Sequence, residues 1–154
     1  MTRKRLRCLL TASIATMLIT VAEAANVTVD MNKISAEGSG EKIGTVQISE
    51  TDQGLTFEVS VEGLSLGEHG FHVHQNGNCG PGEKDGKMEA GIAAGGHYNP
   101  GDTGKHAGPE GPGHLGDLPK LSLTSESAKQ TVTAPRLKLA DVRGRMTSSR
   151  SSAT

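Results

Sequence analysis

The 154-residue sequence predicts an all-β fold, and three observations carry that prediction. Apolar and polar residues alternate in short runs, as they do in strands with one buried face. The runs are punctuated by Gly, Pro, Asp and Asn, with 21 glycines in the chain. No amphipathic helical pattern is convincing, although residues 138–143 are compatible with a single turn.

The elements follow in order. Val27, Val29 and Met31 alternate with Thr28, Asp30 and Asn32, which makes a first strand; Val46 and Ile48 mark a second, and Leu55, Phe57, Val59 and Val61 a third. Asp52-Gln53-Gly54 is short enough to be a hairpin turn between the last two. A fourth strand is expected from Gly70 to Gln75. It would carry His72 and His74 on one face, because residues i and i+2 of a strand point the same way. From Asn76 to about Gly116 periodicity disappears and Gly and Pro are dense, so a long functional loop is expected there. Strand-like pieces return at 118–123 and 130–134.

The N-terminus has the form of a secretory signal peptide. Arg3-Lys4-Arg5-Leu6-Arg7 precedes an apolar run from Cys8 to Val21, and Ala22-Glu23-Ala24 places small residues where a signal peptidase reads them. The run contains Thr and Ser and falls short of the ~20 apolar residues that span a bilayer. Cleavage after Ala24 removes four basic residues and Glu23, taking the formal charge from -1 to -4. An acidic chain without a basic patch does not suit nucleic acid or an anionic membrane. What remains is one domain by size. Its only aromatic residues are Phe57, Phe71 and Tyr98, so its core is thin and metals or cross-links are expected to contribute to stability. Cys79 is then the single cysteine, either a small buried hydrophobe or one half of a disulfide.

All six histidines lie between positions 69 and 114: Gly-Glu-His69-Gly-Phe-His72-Val-His74, Gly-Gly-His97-Tyr-Asn-Pro, Gly-Lys-His106-Ala-Gly-Pro and Gly-His114-Leu-Gly-Asp117. Neutral imidazole is the commonest ligand of zinc and copper, and a carboxylate three residues after a histidine suits the fourth position of a zinc tetrahedron. A metal site is expected in the loop. Histidine density disfavours a simple adhesion or scaffold module.

These four runs, in this order and spacing, resemble the copper/zinc superoxide dismutases, and within them the bacterial periplasmic branch. The resemblance covers about residues 26–144. It implies a Greek-key β-barrel with a long zinc loop, cofactors copper and zinc, superoxide as substrate, and either a monomer or a homodimer in the periplasm. It implies that His72, His74 and His97 hold copper, and that His97, His106, His114 and Asp117 hold zinc. His97 would bridge the two metals and act as the catalytic proton donor. His69 matches a position that is not a ligand.

After Asp141-Val-Arg-Gly144 the resemblance breaks. The family pattern continues with an apolar strand ending in a fourth copper histidine, an electrostatic loop, a cysteine that pairs with the one in the zinc loop, and an active-site arginine. Residues 145–154 read Arg-Met-Thr-Ser-Ser-Arg-Ser-Ser-Ala-Thr and match none of these. The expectation is therefore a signal peptide at 1–24, a domain at 25–144 with a truncated or frame-shifted end, and a Ser/Thr/Arg tail at 145–154. Such a barrel would be incomplete and its edges open, copper would have three histidines, and Cys79 would lack its family partner. The alternative function is a non-enzymatic zinc- or copper-binding remnant.

Overall fold

The computed structural model describes residues 26–146; the expected signal peptide and residues 147–154 of the expected tail lie outside them. Strands β1 (Val27–Ser35), β2 (Gly38–Thr51) and β3 (Gly54–Glu62) form an antiparallel meander. Strand β8 (Ser127–Ala134) returns to the free edge of β3, giving the order β1-β2-β3-β8. Between them the chain leaves the sheet, and β4 (Gly67–His69) pairs with β7 (Leu121–Leu123). β3 and β8 are thus neighbours in the sheet although β4 and β7 lie between them in sequence, the kind of long, non-sequential connection that separates a Greek key from a simple meander.

The alternation read from the sequence becomes the inner face. Val29, Val46, Val59, Phe57 and Val132 are buried, and the register sets Val29 opposite Val46, Val46 opposite Val59, and Phe57 opposite Val132. Side chains on adjacent strands thus pack as cross-strand neighbours, the unit of sheet stabilisation. Between Met31 and Asn32 the register slips, so that Met31 faces Gly44 but Asn32 faces Lys42. The extra residue, Ile43, is a bulge, and it turns inward out of step with Val46 and Ile48. The hairpin expected at Asp52-Gln53-Gly54 is present, with the Thr51 hydroxyl donating to the Gly54 carbonyl at 3.0 Å.

A short helix, α1 (Leu139–Met146), follows β8 and covers one end of the core with the buried side chains of Leu139 and Val142. Its first turn is closed by the Lys138 amide donating to the Asp141 carboxylate at 2.9 Å, half of a capping box. The Leu139 amide donates to Glu50 on β2 at 3.1 Å, which ties the helix to the sheet. One turn was expected at 138–143; the helix runs further and includes Arg145 and Met146.

One expectation is corrected. Residues 70–75 are not a ladder strand, because their hydrogen bonds alternate between two loop segments and leave only single bridges, His72 with Asp117 and His74 with His97. The barrel, expected to be incomplete, is not closed by continuous pairing among the described residues. Between β7 and β8 the Gln130 side chain substitutes for a ladder, accepting from the Ser122 amide at 2.8 Å and donating to the Lys120 carbonyl at 3.3 Å.

Candidate metal centre

Three backbone segments meet beneath the histidines, and one ring of hydrogen bonds joins them. The Val73 amide donates to Gly116, the Gly116 amide to Tyr98, and the Tyr98 amide back to Val73, at 2.9, 2.8 and 2.8 Å. Each member is a chain neighbour of site residues: His72 and His74, Asp117, and His97. Gly116 permits the close approach. A β-carbon there would overlap the Val73 carbonyl oxygen and lie 2.7 Å from the Tyr98 nitrogen.

The loop from 76 to 116 is more ordered than its composition suggests. It carries a two-stranded hairpin, β5 (Gly82–Lys84) with β6 (Lys87–Glu89), and a 3-10 turn at Ile92–Ala94. Asp85 and Gly86 at the hairpin tip both have positive φ, the pairing that a tight two-residue hairpin turn needs. Cys79, within this loop, is buried at 8% exposure.

Asp117 is the hub of the site and is only 5% exposed. His97 donates to its carboxylate from Nδ1 at 2.8 Å, and His106 donates from Nδ1 at 3.1 Å. Burial pushes the Asp117 pKa up, but the hydrogen bonds and charges of His97 and His106 outweigh it and hold the carboxylate below its ordinary value. His114 points its Nε2–H at the Thr103 carbonyl, 3.1 Å away. Its other ring nitrogen, Nδ1, is buried without a hydrogen-bond partner. One ligand atom from each of His97, His106, His114 and Asp117 can be chosen so that all lie within 4.8 Å of one another. Ligand atoms about 2.0–2.2 Å from a tetrahedral zinc stand roughly 3.4 Å apart. Modest contraction would therefore close this set around an ion, and the orphaned His114 nitrogen would gain the partner it lacks.

On the other side of His97 lie His72 and His74. The His97 ring centroid is 3.9 Å from that of His72 and 5.4 Å from that of His74, while His106 and His114 are 4.9 and 5.9 Å away. His97 is thus in ring contact with both groups. His74 donates from Nδ1 to the Gly95 carbonyl at 3.0 Å, which leaves Nε2 as the nitrogen that could bind a metal. Burial, with the neighbouring His97, lowers the His72 pKa to about 4, so this imidazole is neutral, as a metal ligand must be. A 520 Å³ cavity opens over His72, His97, His106 and Asp117, with Leu118 and Lys120 among its lining. His69 stays apart, bonded through Nε2 to the Ser65 carbonyl at 2.8 Å.

Several site residues carried no signal in the sequence. Asn99 fixes Thr103 through three hydrogen bonds, and Thr103 in turn orients His114. Arg145 lies over the ring of Tyr98, 3.8 Å from its centroid and next in the chain to His97. Arg136 grips four loop carbonyls. These contacts join residues distant in sequence, and only the pattern Asn-x-x-x-Thr is local enough to invite suspicion.

The fold and site define a class: a Greek-key β protein that gathers histidines and one buried carboxylate into a transition-metal centre. The family model described as copper/zinc superoxide dismutase matches residues 42–151. The chain is 55% identical over 121 residues to a copper–zinc superoxide dismutase of Salmonella typhimurium, covering 78% of this chain and 70% of that one. It is 50% identical over 131 residues to the enzyme of Escherichia coli, covering 84% and 76%. The structure of the Brucella abortus enzyme superposes with a TM-score of 0.76 at 52% identity, over 79% of this chain and 80% of that one. The chain belongs to the copper/zinc superoxide dismutase family.

Proposed function

We propose that the chain dismutates superoxide at a copper–zinc pair joined by His97, in the periplasm to which residues 1–24 direct it. His72, His74 and His97 would hold copper, and His97, His106, His114 and Asp117 would hold zinc. The observation that carries this reading is the place of the His97 ring, within 3.9 Å of His72 on one side and with its Nδ1 2.8 Å from Asp117 on the other. The zinc set has no position left for water, so zinc there is structural. Copper, when bound, supplies the one-electron chemistry that turns two superoxides and two protons into dioxygen and hydrogen peroxide. The chain's residues supply the rest. His97 turns Nδ1 toward Asp117 and the zinc set, which leaves Nε2, on the copper side, as the nitrogen that would hold and give up a proton, a general-acid role. His72 stays neutral and does not compete for that proton. Export is supported by the basic, then apolar, then small-residue order of the N-terminus and by the bacterial origin of the relatives.

A second reading has its own support. Among the described residues the zinc set has four members, whereas the copper side has three histidines. A metal-binding protein that does not turn over would need only the former. Dismutation by the metal-reconstituted chain, with metal content measured on the same sample, tests both readings. Activity well above free copper that disappears in His97→Ala is expected; one equivalent of bound zinc without activity would favour the second reading.

A further inference from the structure

Arg136, between β8 and α1, places its whole guanidinium on the loop that carries His106 and His114. Nε donates to the Pro109 carbonyl at 2.9 Å, Nη1 to Gly113 at 3.2 Å, and Nη2 to Gly108 at 3.3 Å and to His114 itself at 2.8 Å. The four acceptors lie on both sides of the turn 108–114, which is therefore cinched at its neck. No carboxylate is within salt-bridge distance of this arginine among the described residues, so its hydrogen bonds to carbonyls are its main anchorage. Inside the same neck the His114 amide donates to the Lys105 carbonyl at 3.3 Å, which draws His114 toward the residue before His106. The His114 ring is then aimed by Thr103, and its Nδ1 is buried without a hydrogen-bond partner.

We infer that Arg136 is a positioning residue for the zinc side of the centre: it presets the spacing of His106 and His114, so that the ion does not have to order the loop. The inference rests on the zinc reading above. The physical reason is entropic. A flexible loop must lose backbone freedom when two of its residues bind one ion, and charge-assisted hydrogen bonds from the short turn between β8 and α1 make that loss before the ion arrives. Outer contacts of this kind typically change metal affinity about 10- to 100-fold. Lysine cannot substitute, because a point charge on a flexible stem does not span four carbonyls in a planar fork.

The test uses the full chain as wild type, Arg136→Gln and Arg136→Lys. Zinc affinity is measured by competition with a chromogenic chelator, and cobalt(II) in the same site reports tetrahedral geometry through its visible bands. Cu(I) affinity is measured in parallel. The expected result is a zinc affinity about 10- to 100-fold weaker in both variants and weakened cobalt bands, with Cu(I) affinity and apo melting temperature close to wild type. A general structural role would lower the apo melting temperature and weaken both metals together, and that pattern overturns the inference. So does wild-type zinc affinity in either variant, and Arg136→Lys carries this comparison alone if Arg136→Gln does not fold. Absence of zinc binding by the wild type itself would remove the zinc reading and this inference with it.

Discussion

The four-stranded sheet and the metal-bearing segments are built on opposite principles. In the sheet, stability comes from apolar residues repeated at a period of two, and each can be exchanged for another of similar volume at modest cost. Around the metal centre almost nothing is periodic. Its geometry depends on single hydrogen bonds, one glycine, one buried carboxylate and one arginine. The two regions touch at Phe57 of β3 and Phe71, whose rings meet edge to face at 5.7 Å just before His72. Damage to the sheet should therefore show first as lost stability, whereas damage to the site should show first as lost metal affinity.

The largest separation of the two regions is expected from Gly116→Val. The side chain would force Val73, Tyr98 and Gly116 apart and break the ring of hydrogen bonds beneath the ligands. Zinc and copper binding should both be lost while the far-ultraviolet circular dichroism of the sheet persists. Retained stoichiometric zinc would show that the ring is not what holds the segments together. Phe57→Ala reverses the pattern. Phe57 is 2% exposed, and removing a buried aromatic costs about 3–5 kcal/mol. Denaturant titration should show that loss in apo and metal-loaded protein alike; a loss confined to the loaded form would mean that Phe57 acts through Phe71 on the site.

The same contrast governs what could be read from residues alone. The three meander strands were legible because Val29, Val46, Val59 and their neighbours alternate, and the histidine cluster was legible because histidine is a rare residue type and falls here in recognisable runs. Ile43 was not legible, since the bulge puts it out of phase with Val46 and Ile48. The β5–β6 hairpin was hidden because its strands are three residues each and mostly exposed, so no hydrophobic period exists. The strand expected at 70–75 took its shape correctly but not its pairing. Its i and i+2 histidines do converge on His97, yet the partners are loop segments that no local pattern announces. Arg136 was invisible for the same reason, its four acceptors lying 22 to 28 residues earlier.

Acid provides a graded probe of the site without altering the sheet. Folded His72 takes its proton only at about pH 4, whereas an unfolded histidine takes it near 6.5. Between those values the unfolded apo chain binds more protons, so stability is full above about pH 6.5 and falls as pH drops toward 4. Asp117 adds a loss at lower pH, because its depressed pKa stabilises the folded chain only while the carboxylate is ionised. Apo denaturation midpoints at pH 7 and pH 4.5 should differ more for wild type than for His72→Asn. Equal differences would locate the acid sensitivity elsewhere.

The smallest effect belongs to the joint between the regions. Asp141 receives the Lys138 amide at the start of α1, and that helix buries Leu139 and Val142 against the core while carrying Arg145 to Tyr98, beside His97. Loss of a cap costs typically about 1 kcal/mol. Because the Leu139 amide is held separately by Glu50, Asp141→Ala should loosen only the first turn. The expected outcome is a drop of a few degrees in melting temperature at unchanged zinc affinity, measured on the same preparation. A parallel fall in zinc affinity would mean that the Arg145–Tyr98 contact transmits helix order to His97, and the boundary between a tolerant sheet and an exacting site would then have to be drawn to include α1.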